Sequence, residues 1–363
     1  MMGAKTPGAA ETAGSGGAFT VLVTAPTLAP AGAALLADAG CRVLYLPADA
    51  ADDNTELTRL LAAERVDAVI SRTAPLTAAQ LVACPTLRIV CKHGVGVSNI
   101  DVAAASALGI AVCVTPGANA QSVAEMTWGL IFAAARRIAW MDAELRAGRW
   151  SRSQDGLQLQ GRTLGLVGLG DVGQRVARVA LALGMPVVAF DPALRAVPAG
   201  LEAVRLLPAV DDVVCAADVL SLHVPLNVAT RGLMDAERIA RMPRGALLIN
   251  TARGEVVDEP ALIAALRSGH LFAAGLDTTA AEPLPAGSPL LSLPQVVLTP
   301  HVGGSTPAAL DAMASGAART VLAALAHGRI DPACCVNPQV LPFLLAESPR
   351  HDHEPALFLH LCR

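Results

Sequence analysis

The sequence is poor in charge and has no long uninterrupted apolar run. Charged residues make up 16% of the 363 residues and hydrophobic residues 53%. Disordered chains show the opposite balance, so this composition indicates a folded protein with a large core. No stretch of about 18 uncharged apolar residues occurs, the length that a membrane-spanning helix needs. Because the mean hydropathy is nevertheless +0.49, we expect strands that are buried on both faces, as in a parallel sheet.

Signals for nucleic-acid binding, metal binding and secretion are also missing. The 27 Lys and Arg residues against 31 Asp and Glu give a net charge of −4, which favours neither nucleic acid nor a membrane surface as a partner. Eight cysteines are present without a CxxC pattern, which predicts a reduced, cytoplasmic protein with no metal site. His351, His353, His360 and Cys362 fit no structural zinc spacing. Residues 1–17 lack the apolar segment of a secretory signal.

Short apolar runs alternate with helical stretches along two parts of the chain, without a tandem repeat. The runs predict five strands in the first part, at 19–24, 41–46, 68–71, 87–91 and 110–114. They predict six strands in the second part, at 163–168, 187–190, 219–224, 246–251, 273–276 and 296–299. One long helical stretch, 122–148, separates the two parts, and a last helix is expected at about 307–327, capped by Thr306. Such alternation predicts an α/β protein with two parallel sheets.

A glycine-rich turn opens the second part. Gly168, Gly170 and Gly173 form a GxGxxG pattern between an apolar strand and a helix, which is the context that dinucleotide binding requires. Asp191 ends the next strand, where a carboxylate can bind the adenosine ribose and repel a 2′-phosphate. This pattern favours NAD over NADP. The alternative is that the glycines only build a tight turn.

Three polar residues follow later strands of the second part. Arg253, Glu282 and His301 come after the strands at 246–251, 273–276 and 296–299, and open α/β sheets bind ligands at strand ends. A His suits proton transfer near neutral pH, a neighbouring carboxylate favours its charged form, and an Arg matches a substrate carboxylate. Taken singly, each residue is more often structural or solvated.

Several motifs together resemble the D-isomer-specific 2-hydroxyacid dehydrogenase family, above all its phosphoglycerate dehydrogenase-like branch. The motifs are LVGLGDVGQRVA, LHVPLN, TRGLM, INTARGEVVDEPAL, LTPHVGGST, KHGVGVSNID and NAQSVAE, within residues 19–338. The resemblance implies two Rossmann-like or flavodoxin-like lobes with a cleft between them. The substrate-binding lobe would comprise 19–118 and 303–337, and the NAD-binding lobe 119–302. Residues 1–18 and 338–363 would be flexible tails, with no further domain.

The resemblance also implies a set of site residues. His301 would be the acid/base, Glu282 its partner and Arg253 the residue that orients the substrate. The implied substrate-binding residues are Arg72, Gly94, Val95, Gly96 and Arg253. The implied cofactor-binding residues are Gly168, Gly170, Asp171, Val172, Gly173, Asp191, Val224, Pro225, Thr230, Thr251, Ala252, Arg253, Asp277, His301, Gly303 and Gly304.

The chain departs from the family pattern at three places. Thr278, Thr279 and Ala280 stand where the family usually has Val-Phe-Glu, which puts the local packing in doubt. Ser98 replaces an acid. Lys92 and His93 precede the glycine segment 94–96, where they either extend a cationic rim or are an ordinary solvated Lys and a packed His.

The expected function is NAD-dependent hydride transfer between the nicotinamide and C2 of a small 2-hydroxy or 2-oxo acid, of D-2-hydroxyacid or phosphoglycerate type. Reduction of glyoxylate or hydroxypyruvate is the alternative within enzymes. A protein-binding module that senses NAD is the alternative outside them. The resemblance further implies a homodimer in which residues 122–148 form much of the contact.

Overall fold

The computed structural model describes residues 19–48, 54–152 and 156–342, which form two compact units. Among the described residues, unit 1 comprises those within 19–93, 99–115 and 314–342, and unit 2 comprises those within 94–98 and 116–313. The expected boundaries between the lobes were at 118/119 and 302/303, and the observed ones are at 115/116 and 313/314. Residues 94–98 were expected in the first lobe, but they belong to unit 2. Most of the expected tails, including the C-terminal histidines, lies outside the described residues. The expectation of a flexible tail from residue 338 is wrong for its first residues, because Pro338–Val340 form a short 3-10 helix and Val340 is buried in the core of unit 1.

Unit 1 is built around a five-stranded parallel sheet. Its strands are β1 (Thr20–Val23), β2 (Arg42–Tyr45), β3 (Ala68–Ser71), β4 (Ile89–Lys92) and β5 (Ala111–Cys113). Their order is β2-β1-β3-β4-β5, the flavodoxin-like order. The intervening helices are α1 (Pro30–Asp38), α2 (Asn54–Ala63), α3 (Ala78–Val82) and α4 (Val102–Ala107). All five predicted strands are present, and β3, β4 and β5 are buried along their length except at Lys92.

The last helix, α11 (Pro307–His327), supplies part of the unit 1 core. Its residues Ala314, Ala317, Ala318 and Val321 are fully buried there. By length and composition this helix could cross a bilayer, but its apolar residues are already used in packing. The predicted cap is confirmed, because the hydroxyl of Thr306 accepts a hydrogen bond from the amide of Ala309 at 3.2 Å.

Unit 2 contains a seven-stranded parallel sheet. Its strands are β6 (Leu164–Val167), β7 (Val187–Phe190), β8 (Val204–Leu206), β9 (Val219–Leu222), β10 (Leu247–Asn250), β11 (Ala273–Leu276) and β12 (Val296–Leu298). The order is β12-β11-β10-β9-β6-β7-β8, so the strand order reverses beside β6, the point where open α/β sheets bind dinucleotides. The six predicted strands are confirmed, whereas β8 was missed. This edge strand has three residues and only Val204 is buried, so no apolar run marks it.

The predicted helix at 122–148 is wrong as a single element. The structure has α5 (Ala120–Ala135) and α6 (Ile138–Arg146) instead, separated by Arg137 in the left-handed region with φ 52°. The guanidinium of Arg137 lies over the rings of Trp140 and Phe272, at 5.5 and 5.9 Å. Contacts with these rings stabilise the break between α5 and α6, which no glycine or proline marks in the sequence. The remaining helices are α7 (Asp171–Ala182), α8 (Val210–Ala216), α9 (Ala236–Arg241) and α10 (Glu259–Arg267).

Candidate active site

The glycine turn between β6 and α7 is shaped by close backbone approaches. A Cβ added at Gly173 would lie 2.3 Å from the carbonyl oxygen of Gly168, and one added at Gly168 would lie 2.4 Å from that of His223. Gly168 also has φ 97°, which side chains disfavour. At Gly170, in contrast, an added Cβ would meet nothing within 4 Å. The backbone therefore leaves open space at the helix start, where a pyrophosphate can approach the amides.

Asp191 lies at the end of β7 and is held against the glycine turn. One carboxylate oxygen accepts the amide of Leu169 at 2.9 Å, and the other accepts the amide of Ala193 at 3.0 Å. Each oxygen keeps acceptor capacity for a ribose hydroxyl. Asp171 and Val172 form the first turn of α7, in which the guanidinium of Arg175 donates to the carbonyl of Asp171 at 2.7 Å.

The segment after β9 forms a closed loop beside this turn. The Thr230 hydroxyl donates to the carbonyl of Pro225 at 2.5 Å and accepts the amide of Asn227 at 2.9 Å. Val224 lies next to the turn, since a Cβ on Gly168 would be 3.3 Å from its methyl carbon. Burial lowers the pKa of His223 to about 4, so its ring is neutral near pH 7 and exchanges a hydrogen bond with the Ser221 hydroxyl at 2.9 Å.

The turn after β10 is fixed by Asn250, a residue that sequence reasoning missed. Its fully buried side chain accepts the amide of Ala252 at 3.0 Å and donates to the carbonyl of Arg253 at 2.8 Å. The hydroxyl of Thr251 pairs with that of Thr127 in α5 at 2.9 Å. The asparagine ending an apolar strand in the INTARG motif is the sequence signal that could have identified it.

Arg253 lies against the glycine segment 94–96, in particular against Gly96. A Cβ on Gly96 would be 1.6 Å from a terminal guanidinium nitrogen of Arg253. Burial lowers the pKa of Arg253, while the nearby carboxylates of Glu282 and Glu255 act in the opposite direction. Gly94 has φ 134° and Val95 is largely exposed. One cationic side chain and a stretch of backbone with no side-chain bulk at Gly96 are thus adjacent within unit 2.

Gly254 brings the Arg253 turn close to the loop that carries Glu282. A Cβ on Gly254 would lie 2.0 Å from the backbone carbonyl carbon of Thr279. Only a glycine allows the two segments to approach this closely, which sets the position of Glu282 relative to Arg253.

Glu282 and His301 form a hydrogen-bonded pair. His301 Nδ1 lies 2.7 Å from one carboxylate oxygen of Glu282, and the amide of Thr279 donates to the other oxygen at 3.1 Å. The two side chains are 42% and 39% exposed for His301 and Glu282 respectively. Within residues 19–48, 54–152 and 156–342, no hydrogen-bond partner is assigned to Nε2 of His301, which leaves that nitrogen available for a substrate proton.

The charge of Glu282 is set by opposing effects. Partial burial pushes the pKa of Glu282 upward, but the hydrogen bond and charge of His301, the Thr279 amide and the charge of Arg253 outweigh it. The net pKa of Glu282 is lowered, so the group is a carboxylate throughout the neutral range. No group of three His, Cys, Asp or Glu side chains in the described part of the chain is placed to hold a metal ion.

Asp277 organises the backbone around His301. Its carbonyl accepts the amide of His301 at 2.7 Å, and its carboxylate accepts the amides of Val302 and Gly303 at 2.9 and 2.8 Å. The hydroxyl of Thr299 donates to the same carboxylate at 2.6 Å. Asp277 is 2% exposed. The family resemblance implied that Asp277 binds the cofactor. The hydrogen-bond network that Asp277 forms around His301 could be seen only in the structure.

Gly303 and Gly304 continue the loop after His301 with close approaches of their own. Added Cβ atoms would lie 2.8 Å from the carboxylate of Asp277 and 2.9 Å from the side-chain nitrogen of Asn119. The Thr278 hydroxyl, at the first departure from the family pattern, is buried and has no hydrogen-bond partner within the described ranges. Thr279 instead packs its backbone against Gly254, so the departure leaves the Glu282 loop in place.

Arg72 belongs to unit 1, where its backbone is tightly held. Its amide donates to the hydroxyl of Thr24 at 2.8 Å, and its carbonyl accepts from the side chains of Lys92 and Asn99. Burial lowers the pKa of Arg72. Lys92 also donates to the Asn99 side chain at 2.6 Å, and His93 is 6% exposed. His93 is therefore packed, as the second alternative expected, whereas Lys92 is hydrogen-bonded within unit 1 instead of being solvated or part of an exposed rim.

Comparisons with known proteins agree with this arrangement. Residues 128–303 match the D-isomer specific 2-hydroxyacid dehydrogenase, NAD binding domain. The chain is 44% identical to D-3-phosphoglycerate dehydrogenase of Mycobacterium leprae over 80% of its own length, but spans 56% of that protein. It is 42% identical to hydroxypyruvate reductase of Thermotoga maritima over 70% of its length and 82% of that protein.

A solved structure shows the same architecture. A crystal structure of a protein from Thermus thermophilus is similar with a TM-score of 0.78 and 38% identity, over 88% of this chain and 100% of that one. The two parallel sheets, the glycine turn with its NAD-binding domain and the sequence matches lead to one conclusion: the chain belongs to the D-isomer-specific 2-hydroxyacid dehydrogenase family.

Proposed function

We propose that the protein catalyses NAD-dependent oxidoreduction at C2 of a small 2-hydroxy or 2-oxo acid. The observation that carries the proposal is the Glu282–His301 pair, with Arg253 close enough to influence the charge of Glu282. These residues follow strands β10, β11 and β12, in the same sheet whose β6 leads into the glycine turn. A proton-transfer group and a carboxylate-binding cation are what such a reaction needs.

Each residue of the site would have a separate role in the reaction. The glycine turn and Asp191 would hold the cofactor, which would supply the hydride acceptor for oxidation and the hydride donor for reduction. Nε2 of His301 takes the hydroxyl proton in oxidation and gives a proton to the carbonyl oxygen in reduction. Glu282 holds the ring through Nδ1 and stabilises its charged form. Arg253 binds the substrate carboxylate and holds C2 in position, with the backbone of residues 94–96 beside it.

The choice of substrate within this class is also a proposal. We favour a substrate of phosphoglycerate type, which carries a second anionic group, over glyoxylate or hydroxypyruvate. The support is the relative of that type named above.

A substrate panel tests both levels of the proposal. Purified protein would be assayed with NADH against glyoxylate, hydroxypyruvate and its phosphorylated analogue, and with NAD against the corresponding hydroxy acids. We expect the highest kcat/KM with a phosphorylated three-carbon substrate. Binding of NADH without turnover of any member would favour the alternative of an NAD-sensing protein module.

Selectivity for NAD over NADP is a separate prediction that rests on Asp191. The carboxylate is anchored by two amides and would repel a 2′-phosphate at the ribose. We expect kcat/KM for NADH to exceed that for NADPH by at least roughly tenfold, and Asp191→Ser to narrow the ratio. Equal values for the two cofactors in the unmodified protein would overturn the prediction.

We further propose a cytoplasmic homodimer whose subunits meet through α5, α6 and the segment after them. This surface presents unusually exposed apolar side chains in unit 2, namely Phe132, Ile138, Leu145 and Trp150, the last being 75% exposed. Exposed hydrophobic side chains of this size are typical of contact surfaces. Light scattering should give twice the chain mass at micromolar concentration, and Trp150→Asp should lower it. A monomer would contradict the proposal.

A further inference from the structure

Four cysteines gather at one edge of the unit 1 sheet. Cys91 lies in β4 and Cys113 in the neighbouring β5, whereas Cys334 and Cys335 follow α11. The two strand cysteines are fully buried and the other two are partly exposed. The four thiols are close enough to influence one another's charge.

Two of these cysteines face each other across a short antiparallel bridge. Cys113 and Cys335 are paired, and one backbone hydrogen bond on each side, 2.9 and 2.8 Å long, joins residues 112–114 to residues 334–336. A pair flanked in this way is a non-hydrogen-bonded pair, with Cα atoms about 4.5 Å apart. That spacing lies within the roughly 4.4–6.8 Å that a disulfide spans. The two thiols are also close enough for each to affect the pKa of the other.

Asn337 fixes the register of this pair. Its side chain, 1% exposed, accepts the amide of Val112 at 2.8 Å and donates to the carbonyl of Ile110 at 2.9 Å. The same oxygen accepts a weak hydrogen bond from the Cys335 thiol at 3.6 Å. Because the segment cannot slide along β5 without breaking these buried hydrogen bonds, Cys335 stays opposite Cys113.

We propose that Cys113 and Cys335 form an oxidation site, in which a peroxide converts the facing thiols into an intramolecular disulfide that fixes residues 331–337 to β5. This inference does not depend on the proposed enzymatic activity. Nothing larger than a side-chain rotation is required, since the backbone spacing already suits the bond.

The chemistry takes two steps. The partly exposed Cys335 thiolate attacks a peroxide oxygen, the O–O bond breaks, and Cys335 becomes a sulfenic acid as the peroxide is reduced to hydroxide, or water once protonated. The sulfur of Cys113 then attacks that of Cys335, the S–O bond breaks, and the departing hydroxide takes the Cys113 proton to leave as water. Burial raises the pKa of the Cys335 thiol, so the first step should become faster as pH rises.

Non-reducing peptide mapping of the full chain after hydrogen peroxide treatment tests the site. Thiols left over would be blocked with an alkylating reagent before digestion. We expect one cross-linked pair of peptides, containing Cys113 and Cys335, with a mass lower by two hydrogen atoms, and its disappearance after dithiothreitol. The link should form faster at pH 9 than at pH 7.

The adjacent cysteines provide a matched control. Cys334→Ser should keep the cross-link, whereas Cys335→Ser should lose it, and Cys215→Ser controls for linkage between molecules through an exposed thiol. Circular dichroism would verify that the variants are folded. The proposal is overturned if the unmodified protein forms no link to Cys113, if only sulfinic or sulfonic acids appear, or if the link persists in Cys335→Ser.

Discussion

His301 has a backbone conformation that most side chains avoid, with φ 54°. A non-glycine residue in this region costs about 1–3 kcal/mol and persists only when its surroundings determine it. Here the surroundings are the hydrogen bonds of Asp277 to residues 301, 302 and 303. This backbone conformation accompanies a ring whose Nδ1 meets Glu282, with Nε2 left for a substrate.

Removal of the imidazole should abolish proton transfer without abolishing cofactor binding. In His301→Ala we expect kcat to fall by roughly 10²–10⁴-fold, the usual contribution of a general acid or base. The dissociation constant for NADH, measured by fluorescence titration, should change little, because the glycine turn is untouched. A kcat within a few fold of the unmodified protein would mean that His301 is not the proton-transfer group.

The partner carboxylate should control the pH dependence of reduction. Reduction needs the protonated imidazole, and the ionised Glu282 stabilises that form. Because the pKa of Glu282 is lowered, the group stays charged throughout the working range. Glu282→Gln should therefore move the alkaline limb of the reduction profile to lower pH, as measured from kcat/KM against pH. An active variant with an unmoved limb would show that the two residues do not act as a pair.

At the scale of elements, the glycines of the turn between β6 and α7 serve two purposes. One of them is needed for packing, and another leaves room for a ligand. Gly173 packs against the backbone of Gly168, whereas Gly170 faces open space and has φ −75°. An alanine at Gly170 is thus compatible with the fold but would intrude where the pyrophosphate approaches. An alanine at Gly173 would collide with a carbonyl oxygen.

The two alanine variants should consequently fail in different ways. We expect Gly173→Ala to lower the melting temperature by several degrees, the effect of overpacking by about 1–3 kcal/mol. Gly170→Ala should melt like the unmodified protein but bind NADH at least about tenfold more weakly. Thermal melts and NADH titrations of both proteins check this. Normal NADH affinity in Gly170→Ala would argue against pyrophosphate binding at this turn.

At the scale of the whole molecule, stability should depend on pH through His223. The side chain is partly buried, and this desolvation lowers its pKa to about 4, whereas an exposed histidine has a pKa of about 6.5. Between these values the unfolded chain binds a proton that the folded chain does not. The contribution of neutral His223 to the unfolding free energy is therefore complete above about pH 6.5. This contribution, up to about 3 kcal/mol, is lost as pH falls toward 4.

Replacement of His223 by glutamine should flatten this dependence. Glutamine can still hydrogen-bond to Ser221 but does not titrate. We expect the difference in unfolding free energy between His223→Gln and the unmodified protein to shift in favour of the variant as pH falls from 7 to 4.5. Urea denaturation at several pH values measures it. A constant difference would show that His223 takes up its proton equally well when folded.

The sequence by itself determined the α/β class, eleven of the twelve strands, the cap of the last helix and the identity of the motif residues. Apolar runs and glycine spacing are local signals, and they specify which segments form strands and where a turn must be tight. The break in the helix at Arg137 and the edge strand β8 were not predicted, because neither cation–π contacts nor the pairing of a short edge strand produces a recognisable sequence pattern.

Only the tertiary structure decided which side chains meet. The hydrogen bond between Glu282 and His301, the approach of Arg253 to Gly96 and the Asp277 network join residues from different strands and loops. The pairing of Cys113 with Cys335 joins residues that are far apart in the chain. No spacing in the sequence encodes such contacts, since they arise from strand order and from loops that approach closely only where a glycine lacks a Cβ.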